Sequence, residues 1–175
     1  MTAEFGESEL TLLVKRRAIS EEPYEIKANA EERAALAKRF GLSEVKSLKA
    51  TLKLTPDGST INADGTFSGH WIQPCAVAGE DFPVRLDEPL HFRFVQAREE
   101  VPDEEIELEA DDLDTIDYDG EIFDLGEAVA QSLGLAIDPF ATGPDADTAR
   151  KETGILAEGE QDGPMAEMLA ALKKS

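Results

Sequence analysis

The segment Leu48-Lys-Ala-Thr-Leu-Lys-Leu-Thr-Pro-Asp-Gly-Ser-Thr-Ile-Asn-Ala-Asp-Gly-Thr-Phe-Ser-Gly-His-Trp71 holds two alternating runs around one turn. In the first run Leu48, Ala50, Leu52 and Leu54 alternate with Lys49, Thr51 and Lys53. That is the period of a strand with one face in a core and one in water. Pro56-Asp57-Gly58-Ser59 is a turn signal. In the second run Ile61, Ala63, Gly65, Phe67, Gly69 and Trp71 occupy the apolar phase. Glycine at two of those positions implies a bulge, a bend or close packing.

The same pattern extends downstream. After Pro74-Cys75 and a Gly79-Glu80 turn, Phe82, Val84 and Leu86 alternate, and beyond Pro89 so do Leu90, Phe92 and Phe94. Short strands joined by tight turns favour antiparallel pairing. The spacing predicts one antiparallel sheet over residues 45–96, with Leu48, Leu52, Phe67, Trp71, Val84 and Phe92 facing the core. The fold class is α+β: a curved antiparallel sheet or a partial β-barrel, a few flanking helices, and a short C-terminal helix on a linker.

Upstream, Glu9-Leu-Thr-Leu-Leu-Val14 reads as a strand, followed by the basic triplet Lys15-Arg16-Arg17. A helix is predicted after Asn29, with Glu32 completing a capping box, Ala35, Leu36 and Phe40 on its apolar face, and Gly41 as its stop. A second helix is predicted from Asp124, with Glu127 closing its box. Leu125, Ala128, Val129, Leu133, Ala136 and Ile137 form its stripe, and Asp138-Pro139 ends it. Residues 1–139 are thus read as one α+β domain. Residues 140–163, rich in Gly, Pro, Asp, Thr and Glu without periodicity, are read as a flexible linker. Residues 164–174 are read as a short amphipathic helix, with Met165, Met168, Leu169 and Leu172 at helical spacing.

Charge is distributed unevenly along the 175 residues. The net charge is −21. Residues 99–175 hold 4 Lys+Arg and 23 Asp+Glu, a balance of −19. No Lys or Arg interrupts residues 99–124. Such a field repels phosphate and attracts a basic protein. The expected partner is a basic ribosomal or assembly protein, with ribosomal RNA contacted indirectly or weakly. No apolar run approaches the ~20 residues of a membrane span. The acidic N-terminus lacks the apolar block of a secretory signal. A cytoplasmic location without a membrane partner is expected.

Catalytic and metal chemistry find little support. Cys75 is the only cysteine, which excludes an internal disulfide and any multi-thiolate zinc site. His70 lies near Cys75, but Trp71-Ile-Gln-Pro intervenes, so a small core or loop cysteine is the better reading. Asp112, Asp114, Asp117 and Asp119 before Gly120 have a faint calcium-loop look. The loop would need an acid where Thr115 stands and a bidentate glutamate where Gly126 stands. No phosphate-binding glycine loop, nucleophile elbow or zinc-protease helix is present. No catalytic residue, metal ligand or cofactor is assigned.

Three segments in order carry a resemblance. They are Gly69-His-Trp-Ile-Gln-Pro-Cys-Ala-Val-Ala-Gly-Glu-Asp-Phe-Pro-Val84, then Ile116-Asp-Tyr-Asp-Gly-Glu-Ile-Phe-Asp-Leu-Gly-Glu-Ala-Val-Ala-Gln-Ser-Leu-Gly-Leu-Ala-Ile-Asp-Pro139, then Pro164-Met-Ala-Glu-Met-Leu-Ala-Ala-Leu-Lys173. Together the chain resembles the bacterial YceD family, and its single cysteine is similar to an alphaproteobacterial branch. Many relatives carry a second cysteine, so no thiolate role transfers to Cys75. The resemblance implies a non-catalytic part in accumulation or processing of large-subunit ribosomal RNA and in ribosome assembly.

Three readings compete. The first is a factor acting through a basic protein partner, with Glu104, Glu105, Asp111, Asp112, Asp114, Met165, Met168 and Leu169 as the partner-binding residues. The second is direct RNA binding by Lys15, Arg16, Arg17, Lys38, Arg39, Lys46, Lys49 and Lys53. The third is a metal-dependent hydrolase using the acidic cluster. The charge split favours the first reading.

Overall fold

The computed structural model describes residues 8–97 and 114–154. Two compact units divide the chain: residues 1–73 with 83–138, and residues 74–82 with 139–175.

The first unit is built on a five-stranded sheet. Strands β2 (Tyr24–Lys27), β3 (Glu44–Asp57), β4 (Thr60–Pro74), β5 (Asp81–Gln96) and β6 (Thr115–Tyr118) lie in the order β2-β3-β4-β5-β6. Strands β1 (Leu13–Lys15) and β7 (Ile122–Asp124) form a separate two-stranded sheet. Helix α1 (Ala30–Phe40) joins β2 to β3, and helix α2 (Leu125–Ala136) follows β7. A single turn of 3₁₀ helix occupies Arg16–Ala18. The α+β class and the curved, open sheet anticipated from the sequence are what the chain adopts.

The alternating runs become long strands rather than short ones. β3 and β4 pair antiparallel from Glu44↔Ile72 to Asp57↔Thr60. The turn residue Gly58 sits at φ +57°, a conformation open to glycine. Leu48, Ala50, Leu52 and Leu54 face inward, as do Ile61, Ala63, Phe67 and Trp71. The register slips between Val45 and Ser47. That bulge turns Val45, which has the opposite parity to Leu48, into the same core. Both glycines in the apolar phase of β4 serve close packing. A Cβ on Gly65 would collide with the carbonyl of Thr51, and one on Gly69 would lie 2.8 Å from the Trp71 ring. Five of the six expected core residues are buried; Val84 is only half-buried, packed on the edge of the core.

Pairing departs from an all-antiparallel sheet at one place. β6 pairs parallel to β5, from Arg93↔Thr115 to Gln96↔Tyr118. It places Tyr118 beside Phe94 and closes an aromatic cluster with Phe123. β2 was not foreseen; it pairs antiparallel to β3, setting Lys27 opposite Lys49. The expected strand before Val14 is also shorter than its sequence suggested. Leu12 instead spends its backbone on α2, donating its N–H to Asp124 Oδ1 at 2.8 Å and accepting from the Leu125 N–H at 2.9 Å. Gly126 makes this approach possible, since a Cβ there would stand 2.6 Å from Leu10 O and Leu12 N.

Both helices start as their caps dictate. The Asn29 side chain accepts from the Glu31 and Glu32 N–H groups, Glu32 reaches back to the Asn29 N–H, and Gly41 closes α1 at φ +66°. Asp124 caps α2 through the Gly126 and Glu127 N–H groups at 2.9 and 3.1 Å. Glu127 does not complete a box there: its carboxylate is held by Arg39. Leu36 of α1 and Leu125, Val129 and Leu133 of α2 are fully buried with the inner face of the sheet. At the end of β4, Trp71 donates Nε1–H to buried Gln73 Oε1 at 2.7 Å, and Gln73 donates to the Asp138 carbonyl at 3.0 Å. The one buried polar side chain of this core is therefore satisfied, as burial requires.

The second unit, among the described residues, holds the loop after β4 and a short helix α3 (Ala146–Glu152). Cys75 is buried there and Gly79 turns at φ +72°. The Ala78 N–H donates to Cys75 Sγ at 3.3 Å, and that bond is the main cause holding the thiol below its ordinary pKa. Helix α3 falls within the stretch read as a linker. Residues 155–175, including the expected terminal helix, lie outside the described residues.

Candidate functional site

The only cavity described for the first unit is a pocket of about 530 Å³ where β6, β7 and α2 meet the N-terminal strand segment. Its apolar wall is Phe94, Ile116, Tyr118 and Phe123, three of them rings from the aromatic cluster. The Phe94 and Phe123 rings lie 4.3 Å apart, and Tyr118 stands 5.5 Å from Phe123. Strand alternation explains the wall: Phe94 and Tyr118 end neighbouring strands with side chains on the core side.

Acids dominate the polar lining. Glu9, Asp117, Asp119, Asp124 and Glu127 line the pocket, against a single cation, Arg39. Arg39 is already committed. Its guanidinium holds Glu127 through bonds of 2.9 and 2.8 Å and Glu9 through one of 2.8 Å. Hydrogen bonding to Glu127, outweighing burial, lifts the guanidinium further above its already high pKa. Glu127 gathers more partners, accepting from Ser8 Oγ at 2.7 Å and Gln131 Nε2 at 3.1 Å. The bonds from Arg39, assisted by Ser8 and Gln131, hold its carboxyl below the usual range against the effect of burial. Asp124 is occupied by three backbone N–H groups. Asp117 and Asp119 are exposed and lie on either side of Tyr118 in the chain.

Tyr118 carries the site's unresolved polar group. The residue is only 5% exposed, and its hydroxyl has no hydrogen-bond partner among the described residues. A buried hydroxyl without a partner is costly, by about 1–3 kcal/mol. Such groups in native proteins call for a reason, often a ligand.

Of the expected partner-binding residues, only Asp114 is described; it is exposed, and its carbonyl accepts from the Arg93 N–H at 2.8 Å. Glu104, Glu105, Asp111, Asp112, Met165, Met168 and Leu169 lie outside the described residues. The basic residues considered for RNA are divided. Arg16 bonds Gln96 and the Gly58 carbonyl, Arg17 pairs with Glu121 at 2.7 Å, Arg39 is buried in its carboxylates, and Lys46 meets Glu44 at 3.4 Å. Lys49 and Lys53 share the outward face of β3. Among the described residues no group of three or more His, Cys, Asp or Glu is placed to hold a metal ion. An exposed His91–Asp64 pair at 2.5 Å sits on the outer face of the sheet. No helix among the described residues is long and apolar enough to cross a membrane.

Sequence reading passed over Tyr118, Phe94, Phe123 and Glu9, and treated Arg39 as surface and Glu127 as a cap. The only local signal was the apolar residue every second position from Ile116 to Tyr118, embedded in acids.

No curated protein matches the chain, and no solved structure does. The family described as "Large ribosomal RNA subunit accumulation protein YceD" matches residues 63–174, a span that contains all three segments of the resemblance and runs from β4 through the pocket's aromatic wall to the C-terminal segment. On that match over more than half of its length, the chain belongs to the YceD family.

Proposed function

We propose that this protein supports accumulation of large-subunit ribosomal RNA by binding a basic protein partner, without catalysing a reaction itself. The family supplies the ribosomal RNA connection. The observation that carries the mode of action is charge: a balance of −19 over residues 99–175, and five acids to one cation in the lining of the pocket. A phosphate backbone gains affinity by exchanging its counterions for Lys and Arg, and this part of the chain offers almost none. A basic protein meets the opposite situation, with faster encounter and a complementary field. Pairing of Arg16, Arg17, Arg39 and Lys46 with acceptors of this chain further weakens the reading as a direct RNA binder.

The test is recovery of the tagged full chain from cells with and without nuclease. Nuclease-resistant recovery of one basic protein is expected. Recovery abolished by nuclease, together with sub-micromolar binding of the pure protein to naked large-subunit RNA fragments, would replace this reading with direct RNA binding.

A further inference from the structure

We infer that the pocket beside α2 receives an arginine side chain of the partner, seated on the Phe94–Tyr118–Phe123 cluster and hydrogen-bonded to the Tyr118 hydroxyl. This rests on the reading that the partner is a basic protein, and narrows it to one side chain and one site.

Three independent features point the same way. The pocket's volume, about 530 Å³, has room for a long side chain with its neighbouring backbone. Its wall is aromatic, and a cation over such faces is attracted by their negative π-surface. Its hydroxyl at Tyr118 lacks a partner while almost wholly buried. A guanidinium brings donors to that oxygen and stacks flat on rings. An ammonium is a strongly hydrated point charge that loses more on leaving water.

Charge decides between a cation and an anion. Arg39 alone would suggest an anion site, but two carboxylates already neutralise it. Asp124 is spent on three backbone donors. Exposed Asp117 and Asp119 are left to meet the incoming charge.

The test titrates the full chain, at physiological salt, with an oligoarginine peptide and an oligolysine peptide of equal length and charge. Long-range attraction to the acidic segments acts on both, so the ratio of the two affinities isolates the pocket. The arginine peptide should bind about tenfold tighter. Tyr118→Phe, which deletes the hydroxyl alone, should remove most of that preference while leaving the denaturation midpoint equal or higher, because an unsatisfied group has gone. Asp117→Asn with Asp119→Asn, both at exposed positions, should weaken both peptides; it also gives a second variant should Tyr118→Phe fold poorly. Equal binding of the two peptides overturns the inference, as does an arginine preference that survives both variants. Displacement of the arginine peptide by millimolar inorganic phosphate acting at Arg39 also overturns it, assigning the pocket to an anion. Capture of a basic protein in the nuclease experiment with no arginine preference here would leave the partner reading standing and remove only this site.

Discussion

Arg39 and Glu127, 88 positions apart in the chain, meet through two nearly equal hydrogen bonds of 2.9 and 2.8 Å. The pair ties the last turn of α1 to the first turn of α2. It also sets the charge of the pocket, because the guanidinium neutralises the two glutamates nearest it.

This pair makes stability depend on acid. The Glu127 carboxyl is depressed in the folded chain, so its contribution is fully present above the ordinary glutamate pKa of 4.5 and is lost as pH falls through the lower folded value. Glu127→Gln should therefore be less stable than the wild type at neutral pH, with the two denaturation midpoints converging as the solution is acidified. Arg39→Ala should cost about 2 kcal/mol at neutral pH, a figure tempered by the partial exposure of both side chains. A pH-independent gap between wild type and Glu127→Gln would show that the carboxylate's charge is not what holds the pair.

Gly65→Ala should destabilise the protein by about 1–3 kcal/mol, even though alanine suits a strand better than glycine. The added Cβ meets the Thr51 carbonyl and the Leu52 Cα, both backbone, which cannot swing aside. Gly126→Ala should fall in the same direction for the same reason, reversing the gain of about 1 kcal/mol that alanine usually brings to a helix. Equilibrium denaturation of each variant checks both signs.

Trp71→Ala should cost about 3–5 kcal/mol, since its ring is 1% exposed at the centre of the core. Trp71→Phe separates the ring from its donor. It leaves Gln73 Oε1 buried without the 2.7 Å bond it now accepts, at a cost of about 1–3 kcal/mol beyond the loss of ring volume. In the double variant with Gln73→Leu, that extra penalty should disappear. A strictly additive double variant would mean the bond contributes nothing.

What the sequence made legible was local. Asn29 with Glu32, and Asp124 alone, announced two helix starts because a cap is a contact across three residues. Leu48 to Leu54 and Ile61 to Trp71 announced a hairpin because alternation and its turn sit side by side. What it concealed was distant. The parallel pairing of Phe94 with Ile116 joins strands across an 18-residue crossover, and no pattern within either strand records it. Glu127 stood where a capping box would use it, yet a guanidinium from another helix offered stronger bonds. Tyr118 lay among acids, and only folding shows that its ring enters the core while its hydroxyl stays unpaired. The candidate pocket was therefore almost wholly hidden from sequence reading, although its acidic character was not.

The most direct test of the account is charge reversal in the acidic segment. Glu104, Glu105, Asp111, Asp112 and Asp114 are replaced together by lysine in the tagged full chain, and the basic protein recovered in the presence of nuclease is quantified against the wild type. The account predicts a steep loss of recovery with an unchanged denaturation midpoint, and a wild-type recovery that declines as salt rises. Equal recovery of the same partner by the reversed chain, at every salt concentration, would contradict it.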